Sequence, residues 1–337
     1  MSFREKTRQG LVLGLALVVI AAAWSIAGHG ELARGKKVLV VTSYHEGYEW
    51  SEDIIATLRE ELPGAQFTVF HLDTKRNPGN GKEKGAQAWA LYKSLQPDAV
   101  IAVADNAQTF FVVPYLRGKS STPVIFCGVN DDASRYGYPA ANVTGVLEKK
   151  QYRESFSFAQ LVDPKIRAVG VLYRPSPSNS VNLAQIEKEK AGYTVDVITT
   201  IPVESMAEVR KALSDYGAAI DALLILNLTG ITDDSGAKLE GREAIARITG
   251  ETDLVTIGVS DWEVEAGALC GVVKTGEEQG VLAARQLLVF WEGVPISEIP
   301  IARNTGGRRV INMKTLRKLN IPLQPEIITG TTLISGK

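Results

Sequence analysis

The chain is 337 residues long, 45% hydrophobic and 22% charged, with a formal net charge of -1. That is ordinary globular composition, with length for about two domains of roughly 150 residues. With no dense Lys/Arg block there is no long-range field to collect phosphate backbones or anionic lipid, so nucleic acid is not an expected partner.

Residues 10–28 carry no charge and follow Arg4, Lys6 and Arg8. The pattern reads as an export signal over residues 1–35, with a small-residue cleavage site after Ala23. The apolar stretch also approaches the ~20 residues that span a bilayer, so a retained inner-membrane anchor stands beside cleavage. Either way the remainder is expected to be periplasmic or otherwise extracytoplasmic.

Downstream, strand and helix alternate with little interruption, which predicts an α/β fold with mostly parallel sheets. The apolar run Val38–Val41 reads as a strand buried on both faces. Behind the loop 43–50, Ser51 is expected to cap a helix with Glu52 and Asp53 at its positive end and Ile54, Ile55, Leu58 and Leu62 along one face. Pro63-Gly64 stops it. "AQFTVFHLD", "DAVIAVAD" and "TPVIFCGVND" are the next strands, with "EKGAQAWALYKSL" a helix and "NAQTFFVVPYLRG" a helix or broken helix between them. Cys127 and Cys270 sit in apolar runs and are expected to be free thiols.

A second set begins after "ANVTGVLEKK": a helix over residues 152–161, a strand at 168–173, a Ser-bearing loop and a helix near 180–190. This repeats the design of residues 36–62. "TVDVITTIPV", "DALLILNLTG" and "LVTIGVSD" are further strands, and Ser205 with Glu208 reads as a capping box. The repetition predicts two similar lobes with one cleft.

Ligands of open parallel sheets gather where strands end and helices begin. In the first lobe that rule selects Ser43, Tyr44 and Trp50, with His45 and Tyr48 on the same loop, then Asp73, Asp105, Asn106 and Asn130, the last followed by Asp131. In the second it selects Tyr173, Asn179, Ser180, Asn227, Asp261 and Trp262. Aromatic faces, hydroxyls and amides in this mixture suit a small, zwitterionic or anionic, partly apolar ligand, with Asp105 pairing its ammonium. The competing reading for the Asp, Asn and Ser residues is helix capping, and for the aromatics it is packing of the loop or of the lobe's own core. The chain has only His29, His45 and His71, no zinc-type spacing, no G-x-S-x-G elbow and no phosphate or dinucleotide loop. No catalytic set, metal or cofactor is therefore expected. The enzymatic alternative is a hydrolase built on His45 with Asp73 or Asp105.

"NVTGV" (142–146), "VDPKIRAVGVLYRPSPSNS" (162–180), "EAGALCGV" (265–272), "GVLAARQLLVFWEGVPISEIPI" (280–301) and "VINMKTLRKLNI" (310–321) together resemble the ABC-transporter substrate-binding family that includes tryptophan- and tyrosine-binding members. The resemblance covers roughly the whole exported part and rests on the order and spacing of these segments. It implies a periplasmic-binding-protein type I fold: two Rossmann-like lobes, three crossover strands and a small ligand held between lobes that close by hinge rotation. The implied division is residues 36–147 plus 275–301 for lobe 1 and residues 148–274 plus 302–337 for lobe 2. An ABC permease is the implied partner, and no enzymatic activity is implied. The loop "SYHEGYEW" (43–50) is closer to extracytoplasmic sensor modules of signalling proteins, so ligand sensing for a membrane partner such as a histidine kinase is the alternative.

Overall fold

Apolar runs with no polar side chain to expose can only be satisfied inside a covered sheet. In the computed structural model, which describes residues 30–335, they form the centre of two such sheets. The expected export segment up to residue 29 lies outside the described residues. Residues 30–33 are helical, and Ala33 is fully buried in the first lobe, whose packing thus begins upstream of Lys36. Among the described residues no helix is long and apolar enough to cross a membrane.

The strands are β1 (Lys37–Thr42), β2 (Gln66–His71), β3 (Ala99–Val103), β4 (Val124–Val129), β5 (Val143–Leu147), β6 (Ala168–Tyr173), β7 (Asp196–Pro202), β8 (Ala222–Ile225), β9 (Val255–Ile257), β10 (Cys270–Val273), β11 (Ala302–Arg303), β12 (Arg308–Asn312) and β13 (Thr331–Ile334). They make a six-stranded sheet, β11-β5-β4-β3-β1-β2, and a seven-stranded sheet, β13-β12-β10-β9-β8-β6-β7. Neighbours run parallel except β10 and β12. The described chain divides into two compact units, residues 30–149 with Thr275–Asn304 and Lys150–Lys274 with residues 305–335. The chain therefore passes between them three times.

Both sheets are wound alike. Reading β2-β1-β3-β4-β5 in one and β7-β6-β8-β9-β10 in the other, the strand order reverses between β1 and β3 and again between β6 and β8. Such reversal points are where open sheets of this kind leave a crevice beyond their carboxyl ends.

Period-two alternation supplies both faces of each sheet from the same strands. In lobe 1, Val38 and Val40 join Ile54, Leu58 and Leu287 on one side. Leu39 and Val41 join Tyr92, Phe111 and Phe126 on the other. In lobe 2, Val169 and Val171 pack with Phe156 and Leu224, and Leu172 packs with Leu223 and Ile245. The helices Glu49–Glu61 and Gly276–Trp291 cross closely. A Cβ on Gly276 would lie 2.4 Å from the Trp50 carbonyl oxygen, and one on Gly280 2.8 Å from Thr57 Cβ.

Four local expectations are refined. Ser51 is not the cap: its helix starts at Glu49, and the Ser51 hydroxyl donates to the Tyr48 carbonyl at 2.9 Å. The helix expected near residue 180 starts at Pro177, because Ser176 accepts from the Asn179 amide and the proline needs no donor. Ser205 does accept from the Glu208 amide, but the Glu208 carboxylate reaches back to Glu204 N rather than to Ser205. The broken helix is a short turn, Asp105–Ala107, running into a π-helix, Gln108–Leu116, that contains Pro114. At the far edge of lobe 2 the β6/β7 register skips Ile198, a bulge between Val197 and Thr199. Cys127 and Cys270 are free and buried.

Candidate functional site

In lobe 1 the loop after β1 lies at the β1/β3 reversal. Ser43 is buried, and its hydroxyl donates to the Val103 carbonyl at 2.8 Å while accepting from the Ala107 amide at 2.9 Å. It thus ties the end of β1 to the end of β3. The Ser43 carbonyl accepts from Thr74, whose hydroxyl accepts from Asn106 Nδ2 at 2.9 Å, so β2 is tied in as well.

The aromatic members of this loop form one group. Tyr44 stacks on Tyr48 with centroids 4.2 Å apart and meets the edge of Trp50 at 5.9 Å. Lys75 Nζ lies 4.3 Å from the Tyr48 centroid and donates to its hydroxyl at 3.1 Å. Burial first, then the neighbouring Tyr48, Glu148 and Asp105, push the Tyr44 hydroxyl up to about 12, so it is neutral at physiological pH. Trp50 lies against Gly128, where a Cβ would fall 2.2 Å from its ring. On the same glycine, Gln279 Oε1 accepts the Gly128 amide at 2.7 Å.

Asp105 sits beyond β3 and gathers the loop after β4. Its carboxylate accepts from the Tyr136 hydroxyl at 2.8 Å and from the amides of Asn130 and Asp131 at 3.2 and 3.3 Å. Lys149 Nζ donates to the Asn130 carbonyl at 2.8 Å, and burial lowers the Lys149 pKa. Asp73 is engaged differently: Arg76 and Asn77 hydrogen-bond to its carboxylate and hold it below the usual range, with His45 Nδ1 3.9 Å away.

In lobe 2 the β6/β8 reversal is also cross-linked by a buried side chain. Asn179 Nδ2 donates to the carbonyls of Arg174 and Asn227, both at 2.8 Å. Asn227 Oδ1 accepts from the Thr229 amide, and the Ser180 hydroxyl donates to the Ser176 carbonyl, so these two shape turns. Tyr173 is partly buried against the core below β6. Trp262 packs on the core of its lobe and against Gly241. Asp261 accepts from Arg308 at 2.8 Å on the surface, and Lys150 Nζ lies 3.2 Å from the Ser260 hydroxyl.

The structure therefore brings Ser43, Tyr44, Trp50, Asp105, Asn106 and Asn130 together at the strand ends of lobe 1, with Asp73 set toward Arg76. In lobe 2, Asn179, Asn227, Ser180 and Trp262 hold turns and core. Sequence reasoning passed over Tyr136, Lys149, Gln108 and Gln279. Tyr136 lies in a 3₁₀ turn and Gln279 within a helix, where no strand-end rule points.

Comparison with known proteins agrees with this architecture. The family described as ABC transporter substrate binding protein matches residues 73–332, and the chain belongs to that family. A tyrosine-binding protein from Clostridioides difficile (strain R20291) is 25% identical over 190 residues, covering 54% of this chain and 51% of that protein. The chain thus aligns with about half the length of this curated relative. Among solved structures, the ligand-free, open form of a substrate binding protein with adhesive properties from Clostridium difficile superposes with a TM-score of 0.66 at 16% identity, covering 90% of this chain and 100% of that one. An ABC domain from Streptococcus pneumonia in complex with L-Trp gives 0.50 at 20% identity, covering 89% and 100%. The fold is the two-lobed periplasmic-binding-protein type I fold.

Proposed function

We propose that the protein is the extracytoplasmic binding component of an ABC uptake transporter, that it takes a small amino-acid-like ligand at its strand ends and that it delivers this ligand to a membrane permease. Family membership supports the class. The observation that carries the ligand reading is the group at the β1/β3 reversal, where Tyr44 and Trp50 offer aromatic surface beside Ser43, Asp105 and Asn106. An aromatic wall with a few fixed polar groups suits a ligand that is partly apolar and carries ionic ends. The tyrosine-binding relative favours an aromatic amino acid as the first candidate.

A thermal-shift screen of amino acids, nucleosides and sugars, followed by calorimetry with L-tyrosine and L-tryptophan, tests this. A ligand at a hundred times its Kd stabilises the folded state by about 2.7 kcal/mol. Stabilisation by an aromatic amino acid is expected, and response to an uncharged oligosaccharide alone would reject the reading. Closure of the lobes on the ligand belongs to the same proposal: the radius of gyration falls on adding ligand, and an unchanged scattering profile at saturation counts against it. Neighbouring permease and ATPase genes would support delivery. The sensor-like form of residues 43–50 favours a second reading, ligand sensing, for which a neighbouring histidine-kinase gene would be the support.

A further inference from the structure

The turn that presents Asp105 and Asn106 rests on a backbone conformation that its residue does not favour. Ala104 has φ 66° and ψ 175°, a region that is essentially glycine's and that other residues occupy only when their surroundings impose it. It is also buried, and its amide donates to the Cys127 carbonyl at 2.9 Å. What imposes it is at hand. Gln108, fully buried in the first turn of the π-helix, donates from Nε2 to the Ala102 carbonyl and to the Ala104 carbonyl, both at 3.0 Å. Its own Oε1 accepts from the Tyr138 hydroxyl at 3.0 Å, which fixes the carboxamide the right way round. On the other side, Ser43 holds the Val103 carbonyl and the Ala107 amide.

We infer that Gln108 is a positioning residue for the binding surface of lobe 1: through its two carbonyl contacts it holds Ala104 in the left-handed conformation, and Ala104 in turn sets where Asp105 meets the loop after β4. The inference rests on the reading of these strand ends as the ligand surface. Its physical content is pre-organisation. A turn held in place before the ligand arrives leaves less ordering to be done on binding. The carboxylate that receives the Asn130 and Asp131 amides then stands at a fixed height above the sheet. A glycine at 104 would reach the same φ without strain and so would depend less on the Gln108 contacts.

The test uses Gln108→Met, which keeps the volume and removes the carboxamide, Ala104→Gly, and the double variant. Ala104→Gly alone should raise the ligand-free Tm by about 2–6 °C as the strain is relieved. In Gln108→Met, hydrogen exchange at the Asn130 and Asp131 amides should quicken at least tenfold, and the Kd for L-tyrosine should rise at least tenfold. In the double variant, the exchange rates and the Kd should both move back toward wild type, because glycine adopts the turn without being held. Unchanged exchange at residues 130 and 131 in Gln108→Met, or a lower Tm for Ala104→Gly, would overturn the inference. So would a lower Tm in Gln108→Met with exchange and affinity intact, the signature of a core residue. If wild type does not bind L-tyrosine, the proposed ligand fails by itself, and the exchange rates still decide the role of Gln108.

Discussion

The hydroxyl of Tyr136 donates to Oδ1 of Asp105 at 2.8 Å, across 31 residues of chain. With the Asn130 and Asp131 amides on the same carboxylate, the acid is the knot of the β3 and β4 loops as much as a group offered to a ligand. Burial and the neighbouring carboxylates drive the Tyr136 hydroxyl well above its ordinary range, so it stays a donor.

Replacing Asp105 by Ala should therefore reduce ligand affinity and also cost the ligand-free protein about 1–3 kcal/mol, because two amides lose their acceptor and the Tyr136 phenol keeps only its 3.3 Å bond to Asp131. Urea unfolding measures the second effect. Unchanged stability would show the two amides to be satisfied by water.

Gly128 has φ 66°, and a Cβ there would fall 2.2 Å from Trp50 Cη2. Gly128→Ala should lose at least about 2 kcal/mol, from backbone strain together with displacement of the indole. Circular dichroism melts check this, and a loss under about 0.5 kcal/mol would mean that Trp50 moves aside freely.

Two of the polar strand-end residues of lobe 2, Asn179 and Asp261, should separate. Asn179→Ala removes the donor to two carbonyls from a buried site and should cost about 1–3 kcal/mol. Asp261→Ala breaks an exposed pair with Arg308 and should change stability by less than about 0.5 kcal/mol, so any fall in ligand affinity there would reflect contact.

Glu263 is enclosed in lobe 2, with Oε2 accepting from the Val259 amide at 2.6 Å. Burial, opposed by the Lys150 charge and the Val259 and Ser260 amides, raises its pKa above the ordinary 4.5. The folded lobe thus holds this proton more tightly than the unfolded chain does. The ionised group costs stability at neutral pH, and that cost shrinks as pH falls through the folded value toward 4.5. Glu263→Gln keeps an acceptor for Val259 and should raise Tm at pH 7.5, and its advantage over wild type should close as pH approaches 4.5. An equal gain at both pH values would refute the titration account.

The sheets were legible in the sequence because parallel strands covered on both faces leave a plain record. Val38–Val41 and Val124–Val129 admit no other comfortable setting. The strand-end rule also picked out Ser43, Asp105 and Asn179, whose hydrogen bonds tie strand ends and loops together. Long-range pairings between elements were not legible. Gln279 finds Gly128 across 151 residues, and Tyr138 finds Gln108 across 30, contacts that depend on how helices settle on a sheet rather than on any local pattern. Ser51 misled for a related reason. The helix opens at Glu49, and the Ser51 hydroxyl, inside its first turn, donates to the Tyr48 carbonyl instead of capping.

The register slip at Ile198 bears on life at high concentration. β7 is the outermost strand of its sheet, and Ile198, 49% exposed, is the residue that pairs with nothing in β6. A second chain laid along that edge would meet a kinked ladder with one residue too many, and Pro202 closes its end without an N–H. A β-branched border that would otherwise invite sheet-to-sheet growth is thereby made a poor template for a second strand.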